Sequence, residues 1–416
     1  MQPDRAARLR DLYADALLND VVPFWMRHSP DAECGGFFTQ LARDGSLYGT
    51  DKPVWLQGRE TWLFATLHHQ VEPRDEWLRL ARHGADFLEK HCFGPDAKMY
   101  FCVTRDGRPL RMRRYVYSEV FAILAFAALA QAENSPHRRR RAIEVFDSFL
   151  RHLRTPGLLP PKVDPQTRPG KALSPLMCLL NVANTLIETA PPEARDDRIS
   201  PRESTPTADT PGVDHVRRFE RIIDDTIDEI FRDFVKPDRG AVLEAVRPDG
   251  GPIEGPDGRV MNPGHAIECA WFIMDVARRR DDTALLNRAA ALVDLSFERG
   301  WDREHGGLLY FVDVDGMPPT QLEHDMKLWW PHNEACIAAL MAFVGTGNPR
   351  YAGLFEKLHE WTFAHFPDPR FGEWYGYLHR DGTVSTPIKG GMWKGAFHVP
   401  RGLLMCRKLL DGIAGG

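Results

Sequence analysis

Two kinds of helical pattern alternate along this chain. In the first, apolar residues form one stripe on an otherwise polar segment. Val216, Phe219, Ile222, Ile223, Ile227, Ile230, Phe231 and Phe234 do this among Asp and Arg residues, as do Leu9, Leu12, Tyr13, Ala16, Leu17, Val21 and Phe24 near the start. Similar half-polar segments begin near 74, 138, 283 and 348. The spacing predicts helices with one wet face. In the second kind, represented by 121–130 and 335–344, residues are apolar nearly all round and rich in Ala, Cys and Met. A helix hydrophobic on every face is buried on every face.

Between the two kinds a short phrase recurs. It opens with Asp, often carries Gly-Gly or an aromatic pair, and ends in Asp-Gly: Asp31 to Gly45, Asp96 to Gly107, Asp238 to Gly250, Asp302 to Gly316, and Asp368 to Gly382. The opening aspartates at 31 and 96 are 65 residues apart, and those at 238, 302 and 368 are 64 and 66 apart. The gap of 142 from 96 to 238 holds two periods plus about a dozen residues, with a degenerate phrase at Thr155-Pro156-Gly157. Fixed-period self-similarity signifies a repeat architecture. The closing Asp-Gly suits a tight turn, because Gly takes positive φ at no steric cost.

Each unit therefore reads as outer helix, Gly-rich hairpin, inner helix. Six units fit, with outer helices near 5, 74, 138, 214, 283 and 348 and inner ones near 55, 117, 174, 263, 331 and 398. The predicted fold is all-α: an (α/α)6 toroid of six helix–hairpin–helix repeats with short β-hairpins at one end. The uninterrupted repeat makes residues 1–416 a single domain. Residues 190–212 stand apart, rich in Pro, Ser, Thr, Asp and Arg with almost nothing to bury, and read as a disordered surface insertion.

Composition adds little. At 43% hydrophobic and a net charge of −5, nothing points to nucleic acid or an anionic membrane. The basic run from His137 to Arg141 opens an outer helix and reads as a solvated face. No segment approaches the ~18–20 apolar residues of a membrane span, and the start of the chain shows no apolar leader. Seven scattered cysteines without a CxxC pair suit a reducing compartment, so the expected location is the cytoplasm.

Inner helices of a toroid point the same way, so their leading ends converge on one mouth. Those ends carry Trp55 and Arg59, then Tyr117 and Glu119, then Met177, then His265 and Glu268, then Trp330, His332 and Glu334, then Trp393, His398 and Arg401. Taken singly, each has a structural explanation: a hydrogen-bonded core histidine, an Arg59 pairing with Glu119 or Glu334, tryptophans in packing. Taken together, charged groups at the heads of apolar helices are explained by pairing or by use. Aromatic walls with a few charged groups suit a sugar, whose ring faces are apolar and whose edges need hydrogen bonds. Three chemistries fit the set: a carboxylate pair, Glu268 with Glu334, for glycoside hydrolysis; a metal on His265 with Glu268 or His332, for which no dedicated ligand motif is present; or two histidines acting as acid and base beside a carbonyl.

At these positions the chain closely resembles the N-acylglucosamine 2-epimerases, a family that includes the renin-binding protein. The likeness is carried by Val54-Trp55-Leu56-Gln57-Gly58-Arg59, Thr104-Arg105-Asp106-Gly107-Arg108-Pro109, Asn262-Pro263-Gly264-His265 and Met326-Lys327-Leu328-Trp329-Trp330-Pro331-His332, and continues to Phe397-His398-Val399-Pro400-Arg401. The resemblance covers nearly the whole chain outside 190–212. It implies reversible C2 epimerisation between N-acetylglucosamine and N-acetylmannosamine through an enediolate-like intermediate. It also implies His265, His398, Arg59 and Glu334 as catalytic residues, while the helix heads place Glu268, Glu119, Trp55, Tyr117, Met177, Trp330, Trp393 and Arg401 around the substrate. It implies no metal, no cofactor for the chemistry itself, and a homodimer. Some relatives are activated by ATP; this chain has no Walker-type loop. Mammalian members carry a functionally important Cys where this chain has Ala396. The alternatives are an aldose–ketose isomerase or a 2-epimerase acting on mannose, glucose or cellobiose, a glycoside hydrolase using Glu268 and Glu334, and a non-catalytic sugar-binding protein. Relatives acting on plain sugars tend to place a histidine on the third inner helix, whereas 174–187 has none.

Overall fold

The computed structural model describes residues 1–112, 115–195 and 213–415. Among these residues fourteen helices follow in order: α1 (Pro3–Asp15), continued by a π-turn at Ala16–Val21 into α2 (Val22–His28), then α3 (Val54–Gln70), α4 (Asp75–His91), α5 (Tyr117–Ala132), α6 (Pro136–Arg154), α7 (Leu173–Glu188), the one-turn α8 (Pro192–Arg195), α9 (Val213–Glu229), α10 (Pro263–Arg279), α11 (Thr283–Gly300), α12 (Trp329–Thr346), α13 (Pro349–His365) and α14 (His398–Ala414). The inner ring is α3, α5, α7, α10, α12 and α14. The apolar sides of α5 and α12 are buried over almost their whole length, as expected from residues hydrophobic on every face. The outer ring is α1, α4, α6, α9, α11 and α13. The fold is the expected α/α toroid.

The pairing within a repeat differs from the sequence reading. Each inner helix packs against the outer helix that follows it, α3 on α4, α5 on α6, α7 on α9, α10 on α11 and α12 on α13. The first outer helix, α1, is left to pack on the last inner helix, α14, and so closes the ring. Short connections explain this for four of the five pairs, since antiparallel neighbours need only a tight turn, whereas the phrase between outer and inner helix is long; α7 and α9 pack together although 189–212 separate them.

The phrases build a collar of short antiparallel strands at the mouth. The strand before four of the inner helices pairs with a strand of the next phrase: Lys52 opposite Val103, Lys171 opposite Val246, Val260 opposite Asp313, and Lys327 opposite Leu378. Three of the opening aspartates tie one unit to the next. Asp31 accepts from Lys52 Nζ at 2.9 Å and Arg105 Nε at 2.9 Å, Asp302 from Lys327 at 3.0 Å and Arg380 at 2.9 Å, and Asp368 is paired with Lys389 at 3.0 Å and Arg43 at 2.8 Å. In each case the Lys belongs to the same unit and the Arg precedes the Asp-Gly turn of the next. Arg43 on Asp368 carries this contact across the closing seam. The Asp-Gly turns need their glycines: Gly107 has φ +85°, and a Cβ there would meet the His91 ring at 2.1 Å.

Of the expected insertion at 190–212, Ala190 and Ala194 are buried in the core, so packing continues past the predicted start. The remainder, 196–212, lies outside the described residues. All seven cysteines are free thiols. Among the described residues no helix is long and apolar enough to cross a membrane.

Candidate active site

The six inner helices begin on the collar side, and their first two turns bring together side chains from far apart in sequence. Asn262 caps α10, its side chain accepting from the His265 amide at 3.0 Å, with Pro263 at the first helical position. That start places His265 one turn ahead of Glu268. From α12 come Trp330 and Glu334, from α14 His398 and Arg401, from α3 Trp55 and Arg59.

Two carboxylate–imidazole pairs result. His398 Nδ1 lies 2.7 Å from Glu334 Oε1, fully buried. His265 Nδ1 lies 3.1 and 3.0 Å from the two oxygens of Glu244. A carboxylate accepts, so each Nδ1 carries the proton and each Nε2 is the atom left for chemistry. The indole of Trp330 sits between the imidazoles, its centroid 5.0 Å from His265 and 5.8 Å from His398.

The pairs are electrostatically unequal. Glu334 is shared: Arg401 Nη2 lies 2.6 Å from its Oε1, and Trp271 Nε1 donates to its Oε2 at 2.9 Å. Arg401 also pairs with Glu268. Burial pushes the His398 imidazole well below its ordinary range, and the cations Arg59 and Arg401 push it further. Glu244 has no second partner among the described residues. Burial alone would lower His265, but the charge and hydrogen bond of Glu244, helped by Glu268, outweigh it and raise this imidazole. Two histidines in one pocket are thus driven apart, one toward neutral and one toward protonated.

Arg59 is the second buried cation. Its guanidinium stacks over Phe121 at 4.0 Å, Trp55 at 4.5 Å and Phe397 at 4.9 Å, and its Nε is a buried donor with no acceptor. Burial and the neighbouring Arg401 bring it down to about 9. It pairs with neither Glu119 nor Glu334, contrary to the alternatives left open by the sequence.

Several expected residues are where they were placed, and others are not. Met177 is buried near the head of α7, and the Tyr117 hydroxyl meets Ser174 Oγ at 2.8 Å. Trp55 donates to Met392 O at 3.1 Å and meets Trp393 edge-on at 5.5 Å, with Trp393 itself 46% exposed at the rim. Glu119 is held elsewhere than expected: its Oε1 accepts from Lys98 Nζ at 2.7 Å and from the Met99 amide at 2.8 Å, so it anchors the second hairpin. His332 is likewise structural. It accepts from the Leu308 amide at 2.9 Å and lies 2.7 Å from Leu328 O, and burial pulls it down to about 3. It offers no lone pair to a metal. Glu268, Glu334 and His398 each bring a potential ligand atom within 4.8 Å of one another, but the Arg401 guanidinium already bridges the two carboxylates.

Glu244 and Trp271 were not found from sequence. Glu244 lies in a link between two strands, not at a helix head, and its only signal is a lone acid between apolar neighbours, Leu243 and Ala245. Trp271 sits one turn beyond Glu268 in a run of core residues and looks like packing.

A sequence profile described as N-acylglucosamine 2-epimerase (GlcNAc 2-epimerase) matches residues 36–189 and 210–399. The chain belongs to the N-acylglucosamine 2-epimerase family. It is 40% identical to the N-acylglucosamine 2-epimerase of Bos taurus over 95% of this chain and 90% of that one, and 38% identical to that of Homo sapiens over 95% and 89%. Among solved structures, a cellobiose 2-epimerase from Spirochaeta thermophila superposes with a TM-score of 0.78 at 22% identity, over 99% of this chain and 98% of that one. That likeness establishes the fold.

Proposed function

We propose that this member of the family interconverts N-acetylglucosamine and N-acetylmannosamine by moving the C2 proton between two histidines. One observation carries the reading: His265 and His398 flank Trp330, each with Nδ1 held by a carboxylate, and their surroundings push His398 toward the neutral form and His265 toward the protonated one.

In the open-chain sugar the C1 aldehyde acidifies the C2 proton. Neutral His398 Nε2 removes it from one face, and protonated His265 Nε2 returns a proton to the other, inverting the centre. Arg59, a cation without a carboxylate partner, stabilises the oxyanion as the enediolate forms. Arg401 holds Glu268 and Glu334 in place, and the second oxygen of Glu268 binds a substrate hydroxyl. Tyr117, Met177, Trp55, Trp330 and Trp393 line the sugar. The transfers use protein side chains alone. Hydrolysis fits the site less well, because Glu334 accepts at both oxygens and is bridged to Glu268 by Arg401, so the two acids are not an independent acid and nucleophile or base.

The N-acetyl preference is supported by the identity to the mammalian enzymes and by an α7 head that presents Leu176, Met177 and Cys178. Burying one methyl discriminates by only ~1–3 kcal/mol, so the preference over plain sugars is graded unless the amide is also hydrogen-bonded. Side-by-side kcat/KM on N-acetylmannosamine, mannose and cellobiose tests it. Mannose turned over as efficiently as N-acetylmannosamine would overturn the substrate assignment. A homodimer follows from the family resemblance and is tested by light scattering. A cytoplasmic location rests on the cysteine usage.

A further inference from the structure

Both imidazoles have a carboxylate at Nδ1, yet only Glu334 belongs to an inner helix. Glu244 comes from the two-residue link between the strands Ala241–Val242 and Ala245–Val246, which pair with Val235–Lys236 and Lys171–Ala172 respectively. Its backbone is tied on both sides. The Glu244 amide donates to Val260 O at 3.0 Å, in the strand leading into α10, and Glu244 O accepts from the Leu173 amide at 3.0 Å, at the start of α7. A residue pinned to the lead-in strands of two inner helices has little freedom, and both its carboxylate oxygens converge on one ring nitrogen.

We infer that Glu244 is a positioning residue for the proposed epimerisation: it fixes Nδ1–H of His265, so that Nε2 faces the pocket, and supplies that ring with an undivided negative charge. The inference rests on the functional reading above and deepens it, by naming what Glu244 does within that site. The contrast with Glu334 is its physical basis. Glu334 divides its charge among His398, Arg401 and Trp271, and so orients its imidazole without keeping it charged. Glu244 has no arginine. The charged and titratable groups facing His265 are Glu244 from the inter-strand link, Glu268 from its own helix and His398 from α14; α12 contributes the uncharged Trp330. Tyr117 and Tyr310 feel the charge of Glu244 itself, and burial, with Glu244 adding to it, raises both phenols and keeps them neutral. Glu244 is therefore the anion that decides whether His265 is an acid.

The test is Glu244→Gln, nearly isosteric and still able to accept from Nδ1–H, so that the tautomer survives while the charge is lost. In kcat/KM against pH, the acidic limb reports His398 gaining a proton and the alkaline limb reports His265 losing one. By the equilibrium constraint both reaction directions share this bell. In Glu244→Gln the alkaline limb moves to lower pH by about one unit or more, a tenfold change in proton affinity, with KM changing less than kcat. Two-dimensional NMR of labelled histidine, with His265 assigned by its loss in His265→Asn, shows the same fall in the resting protein. A uniformly reduced profile with the alkaline limb in place and His265 titrating as in the wild type overturns the inference. A wild-type protein inactive on N-acetylmannosamine, with His265 still shifted in Glu244→Gln, overturns the functional reading and leaves the Glu244–His265 pair standing.

Discussion

Arg59 and Arg401 are two buried cations in one pocket, and only Arg401 has carboxylate partners. Arg401 bridges Glu268 and Glu334, while Arg59 is held by three aromatic faces with its Nε unsatisfied. A buried charge without a counter-ion is costly. Its position beside the two histidine dyads makes sense if negative charge arrives only during the reaction.

The two arginines therefore fail differently when removed. Arg59→Met lowers kcat by about 10²–10³-fold, the scale for a lost oxyanion partner, while thermal stability holds to within ~1 kcal/mol, because desolvation relief offsets the lost cation–π contacts. Arg401→Met strands two buried carboxylates and costs ~3–5 kcal/mol of stability. Thermal unfolding and turnover on the same preparations check this. Equal destabilisation by both substitutions would show that Arg59 is an ordinary structural charge.

His332 gives a pH prediction. Its folded value is about 3 and its ordinary value 6.5. Below 6.5 the unfolded chain takes a proton that the folded chain refuses, so stability from this group is full above 6.5 and is lost toward about 3, at ~1.4 kcal/mol per pH unit. Glu60 and Glu188, both raised first by burial, act in the opposite sense, so the whole-protein curve is not the readout. The difference between wild type and His332→Gln is. At pH 8 the variant is less stable by ~1–3 kcal/mol for its lost hydrogen bonds. The gap narrows as pH falls below 6.5 and inverts around pH 5. Urea titrations at pH 8, 6 and 4.5 measure it, and a constant gap would contradict a neutral buried His332.

The collar clamps separate buried from exposed partners of one acid. Asp302 holds Lys327, whose side chain is 0% exposed, and Arg380, whose side chain is 43% exposed. Asp302→Asn strands the lysine and costs ~3–5 kcal/mol. Arg380→Ala removes only the exposed pair and costs less than ~1 kcal/mol. Comparable losses in chemical denaturation would refute the view that the Asp–Lys pair carries the clamp.

The legible parts of this molecule are those written into periodicity. Amphipathic and all-apolar helices gave the two rings, and equivalence of helix heads gathered His265, Glu268, Glu334, His398, Arg59 and Arg401 into one pocket. Partner choice was illegible. Glu119 shares the helix-head address with these residues, but Lys98, two residues after Asp96 in the preceding hairpin, captures its carboxylate. Glu244 lacks that address and reaches the pocket through strand pairing, which a helical repeat does not encode. The ring closure of α1 on α14 also pairs the ends of the chain, and no local pattern specifies that.

The central claim is that the C2 proton passes through an imidazole. N-acetylmannosamine incubated with the protein in D2O tests it directly, with proton NMR following C2 of product and remaining substrate. The account predicts deuterium at C2 of the N-acetylglucosamine formed, and loss of both epimerisation and exchange, by at least ~10²-fold, in folded His398→Ala. Epimerisation with C2 hydrogen fully retained, or a folded His398→Ala variant that epimerises at the wild-type rate, would contradict it.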